Sequence, residues 1–399
     1  MRKGVTVRSV RIALLALALG AFALGTGEFT VMGLLPEVAG DLRISIPEAG
    51  HLVSAYAIGV VVGAPLLIAA ATRLPRRRAL IVMIGLYGVA HLLSAIAPGY
   101  HLVMLGRFLS GLPHGAYFGI AAIVAGSLAA PDRRARAMAL MFAGLTVANI
   151  VGVPLSTLLG QLVGWRWTFA AVGVIGLAAA VLIRFVVPDV RPEGGRPRLA
   201  DELRALTRRP VWLTLLIAVL GGATLFASYS YVAPMLTEVA GFPAAAITLL
   251  LAMFGVGMTI GNAIGARLAD IDPMRAIRLV LAADAIVALA LVPAMHHPVS
   301  AAIVLFLFAV TTFSLIPSAQ LRIIDGAAGA PHMAAGSMHA AFNLANALGA
   351  WLGGVAIALG FGLTSPNVVA ALLALLGLGV ATVSAMVEKR SARREPVAV

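Results

Sequence analysis

The chain has 399 residues, 61% of them hydrophobic and only 11% charged, with no cysteine and a formal charge of +13. Soluble domains carry about 25% charged residues, so this composition belongs to an integral membrane protein. The absence of cysteine excludes a disulfide framework and thiol chemistry. Lysine occurs only at Lys3 and Lys389, which leaves no Walker A phosphate loop and no Schiff-base lysine within the membrane. There is no Gly-x-Ser-x-Gly elbow and no His-Glu-x-x-His, and the eight histidines are scattered. These absences count against hydrolase, ATPase and zinc-enzyme readings, so neither an enzyme nor a cofactor is expected.

In chain order, Arg2, Lys3, Arg8 and Arg11 precede an apolar run from Ile12 to Leu35. A basic start followed by Ala21-Phe22-Ala23 resembles a signal peptide, but the run continues far enough to span the ~30 Å hydrocarbon core. Gly, Pro and charge clusters divide the chain into twelve predicted spans: 12–35, 49–71, 79–97, 102–127, 137–160, 167–187, 211–235, 244–266, 276–295, 299–321, 334–360 and 366–387. The expected architecture is an all-α integral membrane protein of two six-helix halves, 1–188 and 211–399, joined by a polar cytoplasmic linker at 189–210.

Basic residues set the expected orientation. With the N-terminus cytoplasmic, 26 of the 29 Lys and Arg residues fall in inner segments, and two, Arg43 and Arg166, fall outside. That bias is a strong positive-inside signal. It places both termini in the cytoplasm of a multi-pass protein of the cytoplasmic (inner) membrane. It also accounts for the net charge by topology, so no nucleic-acid partner is expected.

The remaining arginine, Arg107, lies inside the fourth span. An Arg near the bilayer centre costs ~2.5–3.5 kcal/mol on insertion scales and needs a partner or water. Glu28 in the first span is the acid at matching depth. Both lie roughly 10 Å below the outer surface, counted at 1.5 Å per residue. The pair is either a static helix clamp or a proton-coupling site, in which a carboxyl in apolar surroundings takes up and releases a proton beside a fixed charge. His114 follows Arg107 by seven residues, about two turns, and is a candidate relay member or substrate contact. Asp284, in the middle of the ninth span, is a candidate second proton site.

Three short matches repeat between the halves. Glu37-Val38-Ala39-Gly40 returns as Glu238-Val239-Ala240-Gly241, Arg73-Leu74 as Arg267-Leu268, and Ala148-Asn149-x-x-Gly152 as Ala345-Asn346-x-x-Gly349. Their nearly constant offset argues for a 6+6 duplication, and parallel halves of this kind enclose a central site near the bilayer midplane. His339, Asn343 and Asn346 share one helix face, and Thr146 and Asn149 form a similar one. Polar faces in a bilayer bond another helix or line a wet cavity. The repeated asparagines make Asn149, His339, Asn343 and Asn346 candidate substrate contacts. Trp165 and Trp167, at an outer boundary, read as interface anchors.

Over nearly its whole length the chain resembles the major facilitator superfamily. Gly27 through Pro36 looks like the first helix of the twelve-helix drug:H⁺ antiporters, and Arg107 with Gly111 matches their fourth-helix motif. That resemblance implies a proton-coupling role for the arginine. Arg73-Leu74-Pro75-Arg76-Arg77-Arg78 is similar to the cytoplasmic loop motif between helices two and three, with Thr72 and Pro75 where that motif has Asp and Gly. The second copy, Arg267-Leu268-Ala269-Asp270, keeps an acid. The resemblance thus implies gating roles for Arg73, Arg76, Arg77 and Asp270. Gly144 through Gly160 resembles the antiporter motif of helix five, reading Gly152-Val153-Pro154 where the motif has adjacent Gly-Pro. Gly111-Leu112-Pro113-His114-Gly115, with Phe342-Asn343 and Gly349 through Gly354, is similar to the arabinose-efflux-permease and chloramphenicol-resistance branch.

The expectation from residues and resemblance together is a proton-driven exporter of small, largely uncharged molecules such as chloramphenicol, working by alternating access. Its partners would be a small-molecule substrate, protons and the lipid bilayer, and a monomer is the expected state. Export of a sugar or purine metabolite by the same machinery is the alternative. A membrane receptor that binds without flux is the alternative from another class.

Overall fold

The computed structural model describes residues 7–71, 74–130, 133–189, 209–326 and 331–392. The described residues are helical throughout, without a strand. Twelve helices among them are long and apolar enough to cross a membrane. In lipid a helix satisfies its own backbone groups, which is why a chain this apolar resolves into long helices.

The chain divides into two compact units. The first comprises Met1–Gly195 with Tyr231–Val256. It holds α1 (Val7–Gly33), α2 (Leu35–Leu42), α3 (Ile46–Ala71), α4 (Arg76–Ile96), α5 (Tyr100–Leu128), α6 (Arg134–Val147), α7 (Val153–Val163) and α8 (Trp165–Val186). The second comprises Arg196–Ser230 with Gly257–Val399. It holds α9 (Arg209–Tyr229), the C-terminal part of α10 (Ala244–Ile271), α11 (Pro273–Ala294), α12 (Pro298–Gly326), α13 (Pro331–Ala358) and α14 (Ser365–Ala392).

In the first unit α3 packs along α5, α4 along both α5 and α8, and α1 against α6 and α8. Its core runs through Leu17, Leu24, Tyr56, Tyr87, Tyr117, Phe118, Met141 and Ile183. The α3–α5 contact is nearly backbone to backbone. A Cβ on Gly59 would strike the Phe108 carbonyl, and one on Gly111 would strike the Tyr56 carbonyl. Lipid tails are as apolar as leucine, so small residues that permit such approach, rather than exclusion from water, hold the pair together. In the second unit α9 packs against α13 and α14, and α11 against α12 and α14. Ile217, Ile277, Leu281 and Leu315 form one of its clusters.

Three predicted spans are interrupted. The seventh, 211–235, breaks after Tyr229, and a helical turn over Val232–Pro234 leads into a π-helical segment over Met235–Val239. The predicted first span, 12–35, ends at Gly33, and Leu35 opens the separate short helix α2. The cause is Pro36, in the first turn of α2. Proline has no N–H and its ring collides with the carbonyl four residues back, which favours a break at this point. The predicted fifth span is built as α6, a π-helical segment over Ala148–Gly152, and α7. Pro154 sits in the first turn of α7, and the wider π turn before it accommodates the lost N–H and the ring.

Candidate functional site

The first unit houses a buried cation. Arg107 on α5 is completely buried. A guanidinium has five N–H donors and no acceptor, and α5 alone cannot satisfy it. Its Nη1 donates to the Gly27 carbonyl at 2.7 Å, Nη2 to the Glu28 carbonyl at 3.5 Å, and Nε to the Leu52 carbonyl at 3.3 Å. Carbonyls of α1 and α3 thus carry the charge. The Tyr56 ring, with its centroid 4.3 Å from the guanidinium carbon, adds a cation–π face. Phe169 of α8 flanks the guanidinium at 5.8 Å.

Glu28 is also buried, at 4% exposure. Its Oε2 lies 3.9 Å from Nε2 of His114, two turns beyond Arg107 on α5. His114 Nδ1 is 2.7 Å from the Tyr56 hydroxyl. The hydroxyl and the ring form a switchable pair. When Tyr56 donates to Nδ1, the hydrogen of neutral His114 sits on Nε2 and faces the carboxylate. When Nδ1–H donates to the hydroxyl, Nε2 presents a lone pair to the Glu28 carboxyl. A carboxyl, an imidazole and a phenol in a row, bordered by a fixed positive charge, can hold and pass a proton. The depth argument from sequence paired Glu28 with Arg107, and the structure brings both to one place with His114 beside them.

The other predicted residues lie apart from this cluster. Asn149 is half-buried in the π segment of the first unit. In the second unit, Asn343 and Asn346 are buried on α13 and His339 is half-buried. Asn343 Nδ2 donates to the His339 carbonyl at 3.1 Å, while its Oδ1 has no hydrogen-bond partner among the described residues. Asp284 on α11 is fully buried. Neither of its oxygens is within normal hydrogen-bond length of a described partner, and the Thr311 hydroxyl of α12 is its polar neighbour. Arg76 and Arg77 begin α4, and Asp270 is exposed in the last turn of α10. Arg73 lies outside the described residues.

At the α2 end of the first unit, Trp165 corrects one expectation. It is 3% exposed and donates from Nε1 to Asp41 Oδ2 at 3.0 Å, so it is a buried tie and not a lipid anchor. Trp167, at 64% exposure, does face outward. Arg166 also pairs with Asp41, stacks over Trp165 and donates to the Ala97 carbonyl at 3.3 Å. Its hydrogen bond holds the Asp41 carboxyl below the ordinary carboxylate range. Glu37, on the same short helix, is pushed the other way by burial beside Gln161.

Sequence reasoning missed Tyr56, Tyr87, His91 and Phe169. All four are buried around Arg107 and α1. A usable signal was present for the two tyrosines: they stand mid-span, whereas membrane tyrosines concentrate at the interfaces.

Three comparisons bear on identity. The profile of the Major Facilitator Superfamily matches residues 17–354. The inner membrane transport protein YdhP of Escherichia coli K12 is 40% identical over 97% of both chains. A chloramphenicol resistance protein of Streptomyces lividans is 35% identical, covering 84% of this chain and 86% of its own. Among solved structures, an inward-facing, occupied bacterial homologue of the human lysosomal transporter Spinster superposes with a TM-score of 0.76. It shares 15% identity over 96% of this chain and 98% of its own, a likeness of fold. With twelve membrane-length helices and these matches, the chain belongs to the Major Facilitator Superfamily and is a multi-pass membrane transporter.

Proposed function

We propose that the protein exports small, largely uncharged molecules in exchange for protons. The observation that carries this reading is the row Glu28–His114–Tyr56 beside the buried Arg107. A buried acid that contacts an imidazole, with a fixed cation at its back, is suited to changing its proton occupancy as its surroundings change. In the cycle, Glu28 takes up a proton from the outer side and gives it up to the cytoplasm, and substrate travels the other way by alternating access. Asp284 is a second proton carrier in the second unit. Asn149, His339, Asn343 and Asn346 supply substrate hydrogen bonds, and Arg73, Arg76, Arg77 and Asp270 act at the cytoplasmic gate. The protein works as a monomer with both termini in the cytoplasm and uses no cofactor.

The substrate class rests on kinship with the Streptomyces lividans relative, which is named for chloramphenicol resistance. Chloramphenicol is an uncharged molecule with hydroxyl and amide groups that asparagine side chains can bond. The test is proton release from energised everted vesicles on addition of chloramphenicol, other drugs, sugars and nucleosides. The expected result is that chloramphenicol collapses the pH gradient with the unsubstituted protein and not with Glu28→Gln. A gradient equally responsive in Glu28→Gln overturns the role of Glu28. Collapse by a sugar or nucleoside alone transfers the same machinery to a metabolite.

A further inference from the structure

His91, on α4, belongs to no role described so far. It is 1% exposed, and three neighbours fix its ring. Tyr87 lies against it with centroids 4.2 Å apart, and Phe169 meets it edge-on at 5.8 Å. The third is its own helix, where His91 Nδ1 lies 3.1 Å from the Tyr87 carbonyl. A carbonyl only accepts, so Nδ1 carries the hydrogen and Nε2 carries a lone pair. That lone pair has no hydrogen-bond partner among the described residues.

The direction in which Nε2 points gives it meaning. A Cβ placed on Gly27 would come within 2.7 Å of it. Only glycine at 27 lets the nitrogen reach the α1 backbone there, and the carbonyl of that same Gly27 accepts from Arg107 Nη1 at 2.7 Å. His91 and Arg107 also share Phe169 as a wall. The groups facing His91 are few. Tyr87 stands on its own helix, with its hydroxyl committed to the Ala23 carbonyl at 2.8 Å. The α5 helix presents Arg107, within electrostatic reach. The α1 helix presents Gly27, followed by Glu28, and α8 presents Phe169, which does not titrate. A buried acceptor without a donor thus stands beside a cation with donors on three carbonyls.

We propose that His91 is a positioning residue for Arg107: its Nε2 is the acceptor onto which the guanidinium moves when Glu28 takes up a proton. The proposal rests on the proton-coupling reading of Glu28. Coupling between a proton and a distant substrate needs an element with two discrete arrangements. With Glu28 anionic, the guanidinium stays on the Gly27 and Glu28 carbonyls. With Glu28 neutral, its attraction for the guanidinium falls, and the lone pair of His91 offers a second seat beside Gly27. Neutral His91 accepts the guanidinium, whereas a protonated ring has no lone pair to offer. The seat therefore stabilises the Glu28-protonated arrangement.

The test that does not depend on transport is ¹⁵N NMR of the full chain in lipid nanodiscs, labelled at histidine, with His91 assigned by difference from His91→Gln. At pH 8 the Nε2 resonance of the unsubstituted protein is expected at the position of a bare, unprotonated ring nitrogen. In Glu28→Gln, which mimics the neutral acid, it is expected to move upfield as it accepts an N–H. An unchanged Nε2 resonance in Glu28→Gln overturns the proposal. The second test is the pH dependence of proton-driven chloramphenicol exchange in proteoliposomes. His91→Phe, which lacks the acceptor, is expected to move the half-maximal pH toward acid by about one unit, the worth of one charge-assisted hydrogen bond. His91→Gln, whose side-chain oxygen can accept, is expected to restore the profile. A His91→Phe profile that coincides with the unsubstituted one overturns the proposal, because a packing role alters amount and stability and not the midpoint. If no exchange occurs at all, the coupling reading fails, and the NMR comparison alone decides the case of His91.

Discussion

Arg107 and Asp284 are both fully buried ionisable side chains in the middle of apolar helices, and their surroundings could hardly differ more. Arg107 has three carbonyls from two neighbouring helices, a tyrosine face and an acid nearby. Asp284 has the hydroxyl of Thr311. Asp284 on α11 follows Tyr87 on α4 by 197 residues, the spacing that separates Asn149 from Asn346. The first unit carries Tyr87, hydrogen-bonded to α1, and the second carries a carboxyl with nothing of opposite sign beside it among the described residues. A cation that must stay charged demands a built socket. The two units thus house a buried ionisable group in two different ways.

The comparison breaks most visibly at Arg107. Arg107→Ala removes the cation from a socket of carbonyls and should cost about 3–5 kcal/mol, read as loss of monodisperse protein and a lower unfolding temperature in detergent. Arg107→Lys keeps the charge but not the planar fork. It should leave the fold intact and lower proton-driven exchange by about 100-fold, the scale of a misplaced functional group. Asp284 should respond in the opposite sense. Asp284→Asn should change stability by less than about 1 kcal/mol, because the carboxyl has no hydrogen bond among the described residues for the substitution to remove. If the acid carries a proton in the cycle, the substitution should instead reduce the protons moved per substrate, read from the dependence of accumulation on the pH gradient. An unchanged ratio with unchanged stability would make Asp284 a silent structural acid.

The smallest effects are expected at the α2 end, where two acids on one short helix should have opposite pH signs. Asp41 is held below the usual carboxylate range by Arg166, so its contribution is present above about pH 4 and is lost as pH falls through the lowered folded value. The pair is half-exposed, so Asp41→Asn should cost at most about 1 kcal/mol at pH 7 and nothing near pH 2. Burial raises Glu37, so its ionised form opposes folding as pH rises through the raised value. Glu37→Gln should therefore raise the unfolding temperature by about 1–2 °C at pH 7 and leave it unchanged at pH 4. Parallel pH profiles for the two variants would remove the distinction.

The architecture was legible because it depends on distances along helices. Apolar length places the spans. Residue counting put Glu28 and Arg107 at one depth, and the guanidinium reaches the Glu28 backbone carbonyl. What a linear reading cannot supply is the direction each side chain takes around its helix. His91 and Tyr56 therefore went unnoticed, since each is far along the chain from the residues it meets. The facing of Asp284 was equally unreadable. The break at Leu34 was within reach, since Leu35-Pro36 disfavours a continuous helix. The π segment was not: Pro154 announces a disturbance, but a kink, a break and a widened turn all answer the same residue.

That widened turn has a consequence for phase. A π turn carries one residue more than an α turn closing the same gap, so Ala148–Gly152 behaves as an insertion that the helix has absorbed. Forcing regular α winding there with every residue kept would rotate everything from Val153 to Val163 by about 100°. Ser156, now against the Thr30 hydroxyl of α1, and Thr168 of α8, which donates to the Ser156 carbonyl at 2.9 Å, would lose their partners together. The azimuth of α7, and with it the seam that joins α1 to α8, is thus preserved by a turn wide enough to take up one surplus residue.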